Sequence, residues 1–210
     1  MHAETFFMRN SDNLLRYLCR GARGLVLAVF VGTVGLTACA TEPSNPQKVG
    51  LDRPTQFFLQ EDPRWARERL GGSGETIARS GCTLCSVSMA LTMMGYDLDP
   101  KRLNASLRAR NGYTSRGWLK WGALTAATGN QVGVAMDNAP TITKIDRALA
   151  AGSGVVGQIR TSRGSYHWVY VVGKRGEEYV VRDPAARVPV ESTLGGNRIR
   201  AIRVLTRRNS

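Results

Sequence analysis

The hydrophobic pattern divides the chain into three stretches. Residues 24–38, "GLVLAVFVGTVGLTA", are one uncharged and mostly apolar run. Residues 40–57, "ATEPSNPQKVGLDRPTQF", mix prolines with polar residues and show no period, which predicts a tether rather than a packed element. Periodic segments begin near residue 58. After Gly81 the apolar positions Leu84, Cys85, Val87, Met89, Ala90, Leu91, Met93 and Met94 leave little polar face, so a helix buried on most sides is predicted, with Ser80 as N-cap and Gly95 just past its end. "DPKRLNASLRARNGY" offers Asp99 as a second N-cap, Pro100 at the first helical position and Gly112 as the stop. "GWLKWGALTAATGN" and "TITKIDRALAAG" predict two further short helices.

The texture changes at residue 154. "GVVGQIR", "SYHWVYVVG", "EEYVVRD" and "NRIRAIRVL" are rich in β-branched and aromatic residues and are bounded by glycines and charges. Helices first and strands afterwards predict an α+β domain, with an antiparallel sheet packed on the early helices.

One hairpin yields geometry. In "SYHWVYVVGKRGEEYVVRDP" two strand-like runs flank Lys174, Arg175 and Gly176, and a three-residue loop with glycine last is a favoured connection. Gly173 then faces Glu177, and His167 faces Asp183 with Cβ atoms about 4.5–5.5 Å apart on one face. A loop one residue longer would put them on opposite faces.

Charge and cysteines refine this picture. The 210 residues hold 29 Lys+Arg against 16 Asp+Glu, a formal net charge of +13. No nucleic-acid motif accompanies the charge, so a solvated, arginine-rich surface is expected and no nucleic-acid partner. Before the apolar run, Arg9, Arg16, Arg20 and Arg23 form a basic region; the run is shorter than the roughly 20 residues that span a bilayer, as in a targeting segment. It ends in "LTAC", which resembles a bacterial lipoprotein box. That resemblance implies removal of residues 1–38, lipidation of Cys39, a tether over 39–57 and a domain over 58–210, anchored in the envelope and facing the periplasm from the outer membrane. Cys19 is then discarded with the targeting segment, and Cys82 and Cys85 remain as thiols.

"SGCTLCSVSMALTMMGY" holds those two cysteines three apart at a helix start. A zinc site would need Cys82, Cys85, His167 and Asp183 together, since no second Cys-x-x-Cys is present. A redox Cys-x-x-Cys should follow a strand, and "GGSGETIARSG" does not read as one. A nucleophile needs a lowered thiol pKa, which the first turn of a helix favours at Cys82, and an imidazole base. His167 is the one histidine outside the targeting segment, and Asp183 is positioned to orient it. Cys85, one turn deeper, is expected to pack in the core; as an alternative, a Cys82–Cys85 disulfide would switch the thiol off. Trp118, Trp121 and Trp168 are expected to be buried, with a cleft wall as the alternative.

Four motifs in order make the domain similar to the papain-like cysteine peptidases of the bacteriocin-processing, double-glycine leader type, and above all to their stand-alone envelope relatives. "QEDPRWARERLG" resembles the family's opening segment, "GCTLCSVSMALTMMGY" its nucleophile helix, "HWVYVVG" its histidine strand and "RDPAAR" its Asp-Pro turn. The resemblance implies a papain-like fold, no cofactor, a peptide or amide substrate, and thiol-dependent cleavage with Cys82 as nucleophile, His167 as base and Asp183 as orienting group. The leader peptidases carry a glutamine oxyanion donor shortly before the cysteine, where this chain has Thr76; Gln60 is the substitute. An acyl transferase of the same fold and a catalytically inactive binding module are the alternatives.

Overall fold

The computed structural model describes residues 56–208. The expectations for the targeting segment, for Cys39 and for nearly all of the tether fall outside the described residues.

The domain is α+β. Helices α1 (Ile77–Ser80), α2 (Cys82–Met93), α3 (Pro100–Arg108) and α4 (Trp121–Ala127) come first; α5 (Ile142–Ala150) lies between strands β1 (Val132–Asp137) and β2 (Gly154–Arg160). Strands β3 (Tyr166–Arg175), β4 (Glu178–Arg182), β5 (Ser192–Gly195) and β6 (Ala201–Arg207) follow. All six strands form one sheet in the order β1-β6-β2-β3-β4-β5, and every neighbouring pair is antiparallel.

The sheet is covered on both faces. One core joins Leu84, Val87, Met89 and Leu91 of α2 with Leu103 and Leu107 of α3, Leu124 of α4, and Val156, Tyr170 and Leu205 of the sheet. The other joins Ile145 of α5 with Val155, Val169, Val171, Tyr179, Val181 and Ile202. Helix α2 is central, and its buried run from Leu84 to Leu91 matches the nearly all-round apolar pattern. Among the described residues no helix is long and apolar enough to cross a membrane.

Asp99 caps α3 through its side chain, which accepts from Arg102 N at 2.8 Å, and Pro100 opens the helix. Gly95 leaves α2 with φ +91°. Several expectations are corrected. Ser80 does not cap α2: it ends the extra turn α1 and donates to Glu75 Oε2 at 2.6 Å, and Gly81 takes the cap position. Helix α3 stops at Arg108, short of Gly112, because Asn111 turns left-handed at φ 51° and sends Gly112 N back to Leu107 O. Strands β1 and β5 were not expected; both lie at sheet edges and bury only one residue each, Val132 and Leu194, so their apolar pattern is faint. "NRIRAIRVL" is a 3-10 turn followed by β6 rather than one strand.

The hairpin is the most consequential correction. Arg175 pairs with Glu178, so the loop is the two residues Gly176 and Glu177, with Gly176 at φ +58°. Gly173 faces Val180, not Glu177. That register alone would place Asp183 on the face opposite His167. A bulge at Val172 absorbs one residue, so beyond it Val171 pairs with Val181 and Tyr170 with Arg182. The displacement from the expected register is then two residues, and parity is restored. Asp183 shares a face with His167 as its diagonal neighbour.

Gly81 joins α1 to α2 with an ordinary φ of −85°, so space rather than conformation demands glycine there. A Cβ would stand 2.4 Å from Ile77 O and 2.6 Å from Ile77 Cγ2. Gly81→Ala should therefore push α2 off α1, lowering stability by about 1–3 kcal/mol in urea unfolding and slowing alkylation of Cys82. Unchanged stability and unchanged alkylation would show that the junction tolerates a side chain.

Candidate functional site

The first turn of α2 meets the sheet where the β3–β4 ladder ends. The last pair is Tyr170 with Arg182; Pro184, which has no N–H, then helps turn the chain away. The edge of β3 beyond that pair is taken up by α2. Ser86 Oγ donates to Trp168 O at 3.1 Å, and Trp168 N–H bonds the Cys82 sulfur. Cys82 is thereby held at the helix start beside His167, with which it also shares a hydrogen bond.

His167 Nε2 and Asp183 Oδ1 lie 2.6 Å apart. The same Asp183 oxygen accepts Ala185 N–H at 2.8 Å, which fixes the carboxylate from the turn side. Next to it, buried Arg182 donates to Glu191 Oε1 at 3.0 and 2.8 Å through Nε and Nη2, closing the loop that carries Asp183. With Nε2 occupied, Nδ1 is the imidazole nitrogen left for Cys82.

The electrostatics follow from these bonds. Burial pushes the Cys82 thiol up, but the hydrogen bond and charge of His167, the Trp168 N–H and the Thr83 hydroxyl outweigh it, and the net shift is downward. Burial also works against a charged His167, yet the Asp183 bond and the Cys82 sulfur raise it to about 10. Asp183 is held below the ordinary carboxylate value: burial opposes ionisation, and the His167 bond and charge prevail. Cys85 is the contrast. It is fully buried in the α2 core, and burial, with the charge of Cys82 second, drives its pKa far above a normal thiol's. Both cysteines are free thiols. Among the described residues no group of three or more His, Cys, Asp or Glu side chains is arranged to hold a metal, which leaves the zinc alternative without support.

Gln60 lies in the same place. Its Nε2 donates to Ala78 O at 2.7 Å, its backbone N–H donates to Pro184 O at 2.8 Å, and its Oε1 is buried without a partner. The opening segment is anchored by Trp65, whose indole N–H donates to Leu59 O at 2.8 Å while its ring packs edge-on to Phe58. Gln60, Cys82 and His167 line one cleft of about 610 Å³. The structure thus gathers Cys82, His167, Asp183 and Gln60, and sets Cys85 apart in the core. Thr76 only precedes α1, with no side-chain capping bond.

The tryptophans depart from the expected burial. Trp118, Trp121 and Trp168 all line the cleft. Trp121 and Trp168 pack with ring centroids 5.2 Å apart. Arg203 of β6 lies beneath both, its guanidinium carbon 5.3 and 5.1 Å from the two rings. It is buried, donates to Ile202 O at 2.8 Å and leaves Nε without a partner. Sequence reasoning missed Arg203. The available signal was a charge at a strand position sharing a face with Ala201 and Leu205, both core residues.

No family model matches the chain, and no curated protein matches it. Among solved structures, one described as a C39-like peptidase from Bacillus anthracis is similar in shape. It has a TM-score of 0.49 and 16% identity, covering 72% of this chain and 95% of that one. A likeness of that degree decides nothing about the chemistry, which rests on the geometry above.

The contrast between the two thiols is directly measurable. Iodoacetamide at neutral pH should label Cys82 and leave Cys85 unmodified in the folded protein, with both labelled after unfolding, as read by peptide mass spectrometry. Equal labelling of the folded protein would overturn the assignment.

Proposed function

We propose that the domain is a papain-like cysteine hydrolase of peptide or amide bonds. The observation that carries the reading is the chain of contacts from Cys82 to His167 to Asp183, in which the thiol is lowered and the imidazole raised. Such a pair rests as thiolate and imidazolium, so the nucleophile is formed before substrate arrives. Cys82 Sγ attacks the scissile carbonyl carbon. The developing oxyanion is met by the Cys82 backbone N–H, which has no partner within its own helix, and by the second Nε2 hydrogen of Gln60, whose first is fixed on Ala78 O. His167 gives its proton to the leaving amine as the C–N bond breaks, producing a thioester on Cys82. Neutral His167 then takes a proton from water, hydroxide adds to the thioester, and the acid leaves as the thiolate re-forms. Asp183 keeps the ring oriented and stabilises the imidazolium throughout. No cofactor enters this cycle.

The reading extends to location. Cys39 carries lipid after removal of residues 1–38, and residues 39–57 tether the hydrolase to the outer membrane on its periplasmic side. A Cys39→Ser variant should move from the detergent-extracted fraction to the soluble envelope fraction; a variant still extracted only by detergent would end that part of the proposal.

Activity requires thiolate and imidazolium together. The rate should therefore rise with pH through a Cys82 pKa below that of a free thiol, and fall as pH passes about 10, where the imidazolium loses its proton. Asp183→Asn should move the falling limb to lower pH, because the stabilising anion is gone. His167→Ala should cost on the order of 10²–10⁴ in kcat. The decisive test is a peptide and muropeptide library treated with the full chain and with a Cys82→Ser control. Cleavage by both, or by neither, would overturn the hydrolase reading; transfer of the acyl group to an added amine in preference to water would make it a transferase.

A further inference from the structure

The catalytic cleft does not end at the tryptophans. A second hollow of about 870 Å³ adjoins it, bounded by the β1–α5 connection at Asn138 and Thr141 and by the approach to β6 at Asn197 and Arg200. The two hollows share Gln158 and Tyr166 as lining residues, so they meet there. Gln158 pairs with Trp168 and Arg160 with Tyr166 across β2 and β3. The seam is therefore one short stretch of ladder, starting beside His167.

The charge along this path is one-sided. Among the described residues neither hollow has an Asp or Glu side chain in its lining. On the catalytic side, Arg79 is already compensated by Glu75 at 3.5 Å. At the seam, Arg160 is held, among the described residues, only by neutral groups: Nη1 donates to Gly164 O at 2.8 Å, Nη2 donates to Tyr166 Oη at 3.0 Å, and the guanidinium stacks 4.5 Å from the Tyr166 ring. It is fixed in position with its charge unanswered. Arg200 lines the far hollow with no ion pair among the described residues. Asp137, just outside, is taken by Lys144 at 2.7 Å. Tyr166, 59% exposed, offers a flat apolar surface between the two arginines and the cleft.

We infer that the second hollow is a specificity subsite for a carboxylate-bearing segment of the peptide, which crosses Tyr166 and Gln158 from the catalytic cleft and is read by Arg160 and Arg200. The inference rests on the reading of the cleft as a peptide site. A preorganised guanidinium receives a carboxylate at little entropic cost, because its own bonds to Gly164 and Tyr166 already restrict it. Asn138, Gln158 and Asn197 supply neutral polar groups around that charge. The substrate class is thus an acidic peptide, rather than the neutral or basic one that a cleft of tryptophans alone would allow.

The test separates binding from turnover. Full-length Cys82→Ala protein is titrated with fluorescent peptides, acetylated and amidated at their ends, in which glutamates at successive positions replace glutamines. A parallel arm uses peptides whose only carboxylate is a free C-terminus, which distinguishes a side-chain from a terminal anion. Glutamate peptides should bind about tenfold more tightly than their glutamine counterparts at low salt, and the preference should shrink as salt screens the pair. It should vanish in Arg160→Gln/Arg200→Gln and be reduced but not lost in Arg160→Lys, which keeps the charge and gives up the fixed fork. Equal affinity of the two series, no binding by either, or a preference that survives the double glutamine variant would overturn the subsite. Cleavage of both series by wild-type protein at equal rates would also remove it while leaving the hydrolase reading intact. Acid-selective binding by the alanine variant, with no turnover by wild type, would keep the subsite and remove the hydrolase.

Discussion

Where β4 stops determines what the rest of the site can do. Pro184 cannot extend the ladder, and beyond the Tyr170–Arg182 pair the edge of β3 is left with backbone groups to satisfy. Helix α2 satisfies them in place of a strand: Trp168 gives its N–H to Cys82 and its C=O to Ser86. A helix start and a strand edge are joined through the backbone of one residue, and His167 is its immediate neighbour. The position of Cys82 relative to the imidazole is thus set by two side chains of α2, Cys82 and Ser86, seated on the main chain of one strand residue.

That docking also explains why charge can persist in a buried place. Three ionisable groups sit in a row with poor access to water, and each taken alone would be driven toward its neutral form. In sequence they support one another. Asp183 answers His167, His167 answers Cys82, and the N–H groups of Ala185 and Trp168 answer the two anions at the ends. Cys85 has the same chemistry, but it lies fully buried and without any such partner, and it behaves as a small core residue. Two thiols three residues apart are differentiated by their surroundings alone.

Much of this was legible in the sequence, for reasons that differ between elements. Helix α2 and its neighbours could be read because buried apolar runs and side-chain caps such as Asp99 are local signals. The pairing of His167 with Asp183 was reached through a wrong loop: the register near the tip is one residue away from a parity that works, and the bulge at Val172 supplies the difference. No composition rule announces a bulge at a valine. Strands β1 and β5 were missed because each buries a single residue and so leaves little apolar pattern to read. Arg203 was missed because a buried arginine under two aromatic rings looks in sequence like any charge on a strand. What could not be read was long-range: which hollow meets which, and which arginines go unanswered.

The Val172 bulge carries a consequence for how such a chain can vary over time. A sheet tolerates hairpins of many lengths, and insertions at a solvent-exposed tip are ordinarily among the cheapest changes a lineage can accept. Here the tip is arithmetically tied to a distant aspartate. An odd change in length between Gly173 and Val180 that kept the two-residue turn would slip the ladder by one and turn Asp183 to the wrong side, unless the bulge were lost or duplicated in the same step. Even changes would pass with the turn unaltered, and an odd one only if the turn itself changed type to take up the residue. Descendants of this hairpin should therefore differ by twos, trade a loop residue against a bulge, or change the turn, so that an unremarkable surface turn is held to a counting rule by a contact it never touches.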